Sequence, residues 1–341
     1  MTNDMSDKVR WGVLGVAKIA TAKVIPAMQG GRWTAVTAIA SRDLERARRA
    51  AASLGIPKAY GSYEELINDP EIDAIYNPLP NQLHVPWSIR AAEAGKHVLC
   101  EKPIGLSADE ARALLAARDR TGVTIQEAFM VRAHPQWIAA RELVRSGRIG
   151  PAHSMLGYFS YFNRDAKNIR NIPEYGGGAL MDVGCYLVHT SRFIFGEEPR
   201  RVIAAAERDP DFGVDRLTSM LLEYSSGHAA GTCSTQMVAY QRINIFGARG
   251  RIEIEIPFNA PPNRPCRLFV DDGSDLSGAG AERVEFETCD QYRLQGDLFS
   301  EAIRAGAPAP YPLEDSVKNM AVIDALFRSA DSGRWETPAN T

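Results

Sequence analysis

The first third of the chain alternates between two hydrophobic periods. Residues 10–14 make a short apolar run that reads as a buried strand, and the roughly 3.6-residue spacing over 18–29 reads as a helix. The same pair recurs as strand 34–40 with helix 44–54, strand 74–77 with helix 86–94, and strand 97–100 with helix 107–120. Ser107 followed three positions later by Glu110 marks the last of these helix starts as a capping box. Strict strand and helix alternation predicts a parallel, doubly wound sheet with helices on both faces.

After about residue 125 the pattern changes. A helical stretch over 135–146 precedes strand-like segments at 152–162, 201–206, 217–224, 228–236, 243–246, 251–256 and 284–288. Turn pairs such as Ser226-Gly227 and Arg249-Gly250 separate several of them, which predicts a largely antiparallel sheet. A helix over 179–195 lies between the first two strands and is stopped by Gly196. The Gly/Ser/Asp-rich run 271–280 reads as a surface loop, and late helices over 292–305 and 313–332 are expected to pack back on the body. The fold class is therefore α/β: a parallel-sheet domain over 1–127 and a mixed domain over 128–341 with a large, mostly antiparallel sheet.

Composition narrows the picture without deciding it. With 341 residues, 45% of them hydrophobic, the chain can fill two cores, and a net charge of -3 gives no nucleic-acid footprint. No apolar run approaches the length of a bilayer span, and residues 1–8 lack a signal-peptide core, so a cytoplasmic protein is expected. The five cysteines lack Cys-x-x-Cys spacing and the six histidines lack His-x-x-His pairing, which argues against a disulfide framework and a metal site.

Four segments carry candidate chemistry. Gly15-Val16-Ala17-Lys18-Ile19-Ala20 sits between the first strand and first helix, where a tight turn lets backbone approach a pyrophosphate. The second strand ends in Ser41-Arg42-Asp43; a guanidinium there suits the extra phosphate of NADP, while Asp43 reads as a helix N-cap. NADP is thus expected over NAD, with a plain solvated charge the other reading of Arg42. Glu101-Lys102-Pro103 ends the 97–100 strand beside the expected nucleotide cleft. Finally, Gly176-Gly177-Gly178 opens a helix that sets Asp182 and Tyr186 one turn apart. A dipole-stabilised carboxylate and a core tyrosine are the alternative for that pair.

Taken together, Glu101-Lys102-Pro103, the Gly-x-Ala-x-x-Ala turn, Asn81-x-x-His84 after Pro78-Leu79-Pro80, and Gly177-Gly178 through Tyr186 resemble the Gfo/Idh/MocA family. The resemblance implies an N-terminal Rossmann domain, a C-terminal domain with an open antiparallel sheet, and hydride transfer on a sugar or polyol. It makes Lys102 the catalytic lysine and Asp182 a substrate-orienting carboxylate. Tyr186 stands where inositol-dehydrogenase-like members carry histidine, which resembles the branch containing glucose-fructose oxidoreductase, dihydrodiol dehydrogenases and aldose dehydrogenases. The expected cofactor contacts are Gly15, Ala17, Lys18, Ile19, Ser41, Arg42, Pro80, Asn81, His84, Glu101 and Lys102. Arg132, Asn168, Arg170 and His189 are candidates for substrate; loop charge, or for His189 a core hydrogen bond, is the alternative.

The chemistry of the pair stands on its own. A free phenol, with a pKa of about 10, is a poor base at neutrality, and a nearby ammonium stabilises the phenolate. Tyr186 is therefore expected to exchange the proton, assisted by Lys102, with Asp182 fixing a neighbouring hydroxyl. Three functions fit: NADP-dependent turnover of a carbohydrate, the same reaction on a non-sugar vicinal diol, or a non-catalytic NADP sensor. A sheet with one bare face further predicts a homodimer or homotetramer.

Overall fold

The computed structural model describes residues 7–339. In chain order the elements are β1 (Val9–Leu14), α1 (Ile25–Gln29), β2 (Thr34–Ala40), α2 (Leu44–Leu54), β3 (Lys58–Tyr60), α3 (Tyr63–Ile67), β4 (Ala74–Asn77), α4 (His84–Glu93), β5 (His97–Cys100), α5 (Ala108–Thr121) and β6 (Ile125–Glu127). There follow α6 (Pro135–Arg145), β7 (Ala152–Phe162), α7 (Cys185–Phe195), β8 (Arg201–Arg208), β9 (Asp215–Glu223), β10 (His228–Ser234), β11 (Gln236–Gly247), β12 (Gly250–Ile254), β13 (Cys266–Asp271), β14 (Glu282–Phe286), α8 (Gln291–Ala305) and α9 (Leu313–Ser332). The chain divides into two compact units, one of residues up to Met130 with Asp290–Val317, the other of Val131–Cys289 with Lys318 onward.

The first unit holds a six-stranded sheet in the order β3-β2-β1-β4-β5-β6, parallel throughout. This is the dinucleotide-binding order, in which strand carboxyl ends near the β1/β4 reversal line a crevice. Near-continuous apolar runs in β1, β2 and β4 suit strands covered on both faces. Late in the chain, α8 completes this core: the Trp11 ring lies 5.7 Å from Phe299, and its Nε1 donates to Ser300 Oγ at 3.1 Å. At the start of α5, Ser107 accepts from the Glu110 amide, and Glu110 in turn accepts from the Leu106 amide at 2.8 Å.

The second unit is built on eight strands in the order β14-β13-β12-β11-β7-β10-β9-β8. Every neighbouring pair is antiparallel except β10 with β7. One face is apolar and carries α7, whose Leu187 fills the space above Gly157 and Gly231. The alternation of Ile243, Ile245, Ile252 and Ile254 inward leaves Arg242, Arg251 and Glu253 on the other face, where Glu253 pairs with Arg242 across strands and with Arg251 along its own. Leu156 and Tyr240 stay about half exposed there, with the Tyr158 and Tyr240 rings 5.8 Å apart.

Three elements were not anticipated: β3, α3 and β13, the last of which ends where the 271–280 loop begins. Both glycine-led helices also begin in a wide π turn, Ala20–Val24 before α1 and Leu180–Gly184 before α7. Such turns are rare and concentrate at functional sites.

Candidate functional site

On the first unit the candidate residues gather at the carboxyl ends of β1, β2, β4 and β5. Gly15 leaves β1 at φ +80°, the left-handed conformation that favours glycine, and a Cβ there would also press on the Leu79 side chain at 3.0 Å. Ala17 and Ile19 are half-buried behind it, and Lys18 is exposed. Ser41 is buried, its amide held by Tyr60 O, and its hydroxyl accepts from the Asp43 amide. Asp43 caps α2 through the Arg46 amide, as its position suggested. Arg42 is exposed. One turn on, Arg46 reaches back to Val16 O at 3.1 Å. Burial pushes the Tyr63 phenol up, and the nearby charges of Arg42 and Arg46 pull it back. Arg46 and Tyr63 were missed by sequence reasoning; the four-residue spacing from Arg42 was a signal for the first.

The Lys102 segment is fastened from three directions. Glu101 accepts from the buried Tyr76 hydroxyl at 2.6 Å, and the Ile104 amide donates to Glu127 at 2.8 Å. The Lys102-Pro103 peptide is cis. His84 is turned inward at 1% exposure, with Nδ1 2.7 Å from Pro103 O and Nε2 2.7 Å from Leu79 O. Its ring therefore joins the Lys102 turn to the loop bearing Pro80 and Asn81, both half-buried at the surface of that loop. Burial lowers the His84 pKa to about 4 against the pull of the two carbonyls.

On the second unit Asp182 is the centre. Its Oδ2 accepts from Tyr161 Oη at 2.5 Å and from Arg170 Nε at 2.8 Å. Asp182 raises the Arg170 pKa further, and burial ahead of Asp182 raises that of Tyr161, so the trio is a carboxylate held by a phenol and a guanidinium. Asn168 caps the short turn Ile169–Asn171 by accepting from the Arg170 amide, which brings it into the same cluster. Tyr186, one turn beyond Asp182, lies against aromatic rings: Phe159 at 5.7 Å and Phe258 at 5.3 Å. His189 is buried a further turn along α7. The Arg132 guanidinium lies 5.1 Å above the Phe193 ring of α7.

Two further residues were not among the expected site members. Tyr161 stands on β7, and only the register of the sheet aims it at Asp182. Asp215, at the head of β9, accepts from the Leu180 amide at 2.7 Å. Among the described residues no three His, Cys, Asp or Glu side chains cluster as metal ligands, and no helix is long and apolar enough to cross a membrane.

Comparison with known proteins agrees with this layout. Residues 9–129 match the model of an oxidoreductase family with an NAD-binding Rossmann fold, and residues 137–253 match the GFO/IDH/MocA C-terminal domain. The chain belongs to the Gfo/Idh/MocA oxidoreductase family. Within that family it is 42% identical over 328 residues to the NADP(+)-dependent D-xylose 1-dehydrogenase 2 of Haloferax volcanii, covering 95% of this chain and 98% of that one. It is 51% identical over 332 residues to an uncharacterized oxidoreductase of Rhizobium meliloti, covering 97% and 99%. A 3-ketoreductase from Actinomadura kijaniata, solved with NADP and TDP-benzene, superposes with a TM-score of 0.88 at 29% identity, covering 94% and 98%.

Proposed function

We propose that this family member is an NADP-dependent oxidoreductase of a carbohydrate, oxidising an aldose or reducing a keto group on a sugar. The convergence of Tyr161 and Arg170 on one oxygen of Asp182, a helical turn from Tyr186, carries the reading. A carboxylate so held keeps its second oxygen in a fixed direction, which suits the hydroxyl adjacent to a reacting carbinol.

The first unit fits a dinucleotide on its own geometry. Backbone can come close at Gly15, whose positive φ disfavours any side chain, and Arg42 with Arg46 offers two guanidiniums one turn apart for a 2′-phosphate. Ala17, Lys18 and Ile19 supply the turn over the pyrophosphate, while Ser41, Pro80, Asn81, Glu101 and Lys102 supply the remaining contacts. When bound, the nicotinamide gives or accepts the hydride. His84 serves this site by holding Leu79 and Pro103 in place rather than by touching ligand.

The proton is moved by the chain's own groups. In the oxidising direction Tyr186 takes the carbinol O–H proton as the C–H pair departs as hydride, leaving a carbonyl; in the reducing direction it returns that proton. Lys102 stabilises the phenolate, and Asn168 and Arg170 frame the substrate beside Asp182. We assign Arg132 and His189 to the wall of the substrate site. The bare face of the eight-stranded sheet, with Leu156 and Tyr240 about half exposed beside a cross-strand ion pair, is where two copies join. The 42% identity to a xylose dehydrogenase supports a sugar over an aromatic diol as substrate.

Reduced-nicotinamide absorbance on mixing protein with NADP and a panel of aldoses, polyols and vicinal diols tests the reading. Turnover of an aldose, faster with NADP than NAD and reduced about 10³-fold or more in Tyr186→Phe, is expected. Turnover of diols alone would select the dihydrodiol reaction. NADPH binding with no turnover of aldose, diol or ketosugar would make the protein a sensor.

A further inference from the structure

Asp215 is 3% exposed and carries a carboxylate in a place where an apolar side chain would cost less to bury. Its Oδ2 accepts from the Leu180 amide at 2.7 Å and from Thr218 Oγ1 at 2.8 Å. Its Oδ1 occupies the space where Gly178 would carry a side chain: a Cβ there would stand 1.9 Å from that oxygen. Gly178 itself sits at φ +112°, a conformation that excludes other residues. The carboxylate thus seals the glycine turn from behind and holds the first amide of the π turn Leu180–Gly184.

Gly178 is also a junction. Its amide donates to Arg170 O at 2.8 Å, and its carbonyl accepts from the Asp182 amide at 3.1 Å. Arg170 and Asp182 are the two partners of the 2.8 Å ion pair in the candidate site. Displacing Asp215 therefore shifts the backbone under both members of that pair.

We propose that Asp215 is a positioning residue for the reaction, acting through Gly178 and Leu180 on the placement of Arg170, Asp182 and Tyr186. The proposal rests on the reading of Asp182 and Tyr186 given above. Burial raises the Asp215 pKa to about 6, so near neutrality the group is held ionised against its surroundings, with Arg208 its charged neighbour and Cys233 a nearby thiol. A carboxylate kept on such terms serves the geometry of the turn and not the strength of the core.

The test uses the full chain with Asp215→Leu, which removes the acceptor at nearly constant shape, Asp215→Asn, which keeps an oxygen for Leu180, and Tyr186→Phe. Peptide-resolved amide exchange and NADPH binding are read beside kinetics on the aldose turned over fastest. In Asp215→Leu, kcat should fall about 10²-fold, as a misplacement near 1 Å costs. Exchange should quicken about tenfold or more together over residues 170–182, while the NADPH Kd stays within about twofold. Asp215→Asn should remain within about fivefold of the wild type in kcat. Where leucine prevents folding, Asp215→Ser carries the same expectation. Wild-type kcat in a folded Asp215→Leu protein, faster exchange confined to Leu180, or equal loss in Asn and Leu would overturn the proposal. An inactive Tyr186→Phe beside a fully active Asp215→Leu sinks this inference alone. An active Tyr186→Phe sinks the reading beneath it as well.

Discussion

Replacing His84 with glutamine should flatten the acid side of the stability curve. In the folded chain burial holds the imidazole at a pKa of about 4, against an ordinary 6.5. Between those values the unfolded chain binds a proton that the folded chain refuses, so stability is full above about pH 6.5 and drains away as pH falls toward 4. At about 1.4 kcal/mol per pH unit the whole effect is about 3 kcal/mol, of which about 2 kcal/mol is lost by pH 5. His84→Gln has no such proton to take up. It gives up contacts to Leu79 O or Pro103 O at every pH, at about 1 kcal/mol each, but its stability should fall less steeply with acid than the wild type's, by the share that His84 contributes. Urea unfolding of both proteins at pH 8, 7, 6 and 5 measures the difference, using the fluorescence of Trp11, Trp33 and Trp87 in the first unit. His97 and His134, whose pKa values burial also lowers, titrate equally in both proteins and cancel. Parallel curves would refute the argument. So would a nitrogen NMR spectrum showing His84 charged at pH 7, the form that two carbonyls at 2.7 Å would favour if burial did not prevail.

Three other outcomes are expected. Arg42→Ala and Arg46→Ala should each raise the KM for NADP about 10-fold or more and leave that for NAD nearly unchanged, since each removes a charge-assisted contact to the 2′-phosphate alone. Asp215 has the opposite acid–base sign from His84: its pKa is raised from 3.8 to about 6, so the wild type should lose up to about 3 kcal/mol as pH rises through that window, and Asp215→Asn should not. Leu156→Glu with Tyr240→Glu, two negative charges on the bare sheet face, should leave a monomer by light scattering; an unchanged assembly would mean that the copies join elsewhere.

What could be read from the amino acids alone was whatever the chain states locally. The β1 run, the cap pairs at Asp43 and at Ser107 with Glu110, and the stop at Gly196 are short-range facts, and the elements formed where the pattern put them. Short or irregular pieces escaped. β3 is three residues of mixed polarity, and β13 follows the proline-rich stretch 261–265, where no period can establish itself. The parallel pairing of β10 with β7 was also hidden, because register between distant segments leaves no mark on either. The candidate site divides along the same line. Lys102, Asp182 and Tyr186 sit in motifs with their own spacing, whereas Tyr161 and Asp215 join Asp182 and Leu180 from 21 and 35 positions away. His84 was visible as a residue but not as a clamp, since the carbonyls it joins carry no side-chain signature.

The packing of α8 on Trp11 has a consequence for how the protein is made. Trp11 is fully buried only when Phe299 and Ser300 arrive, 289 positions later for the Ser300 hydrogen bond. At about 5–20 residues per second, a ribosome takes some 15–60 s to cover that distance. Through this interval the nascent parallel sheet shows an indole and its apolar surroundings to solvent, a surface of the kind chaperones bind. Expression of residues 1–130 as a free-standing nucleotide module would freeze the chain in that state, and grafting α8 directly onto its end by a short linker is the design that would release it.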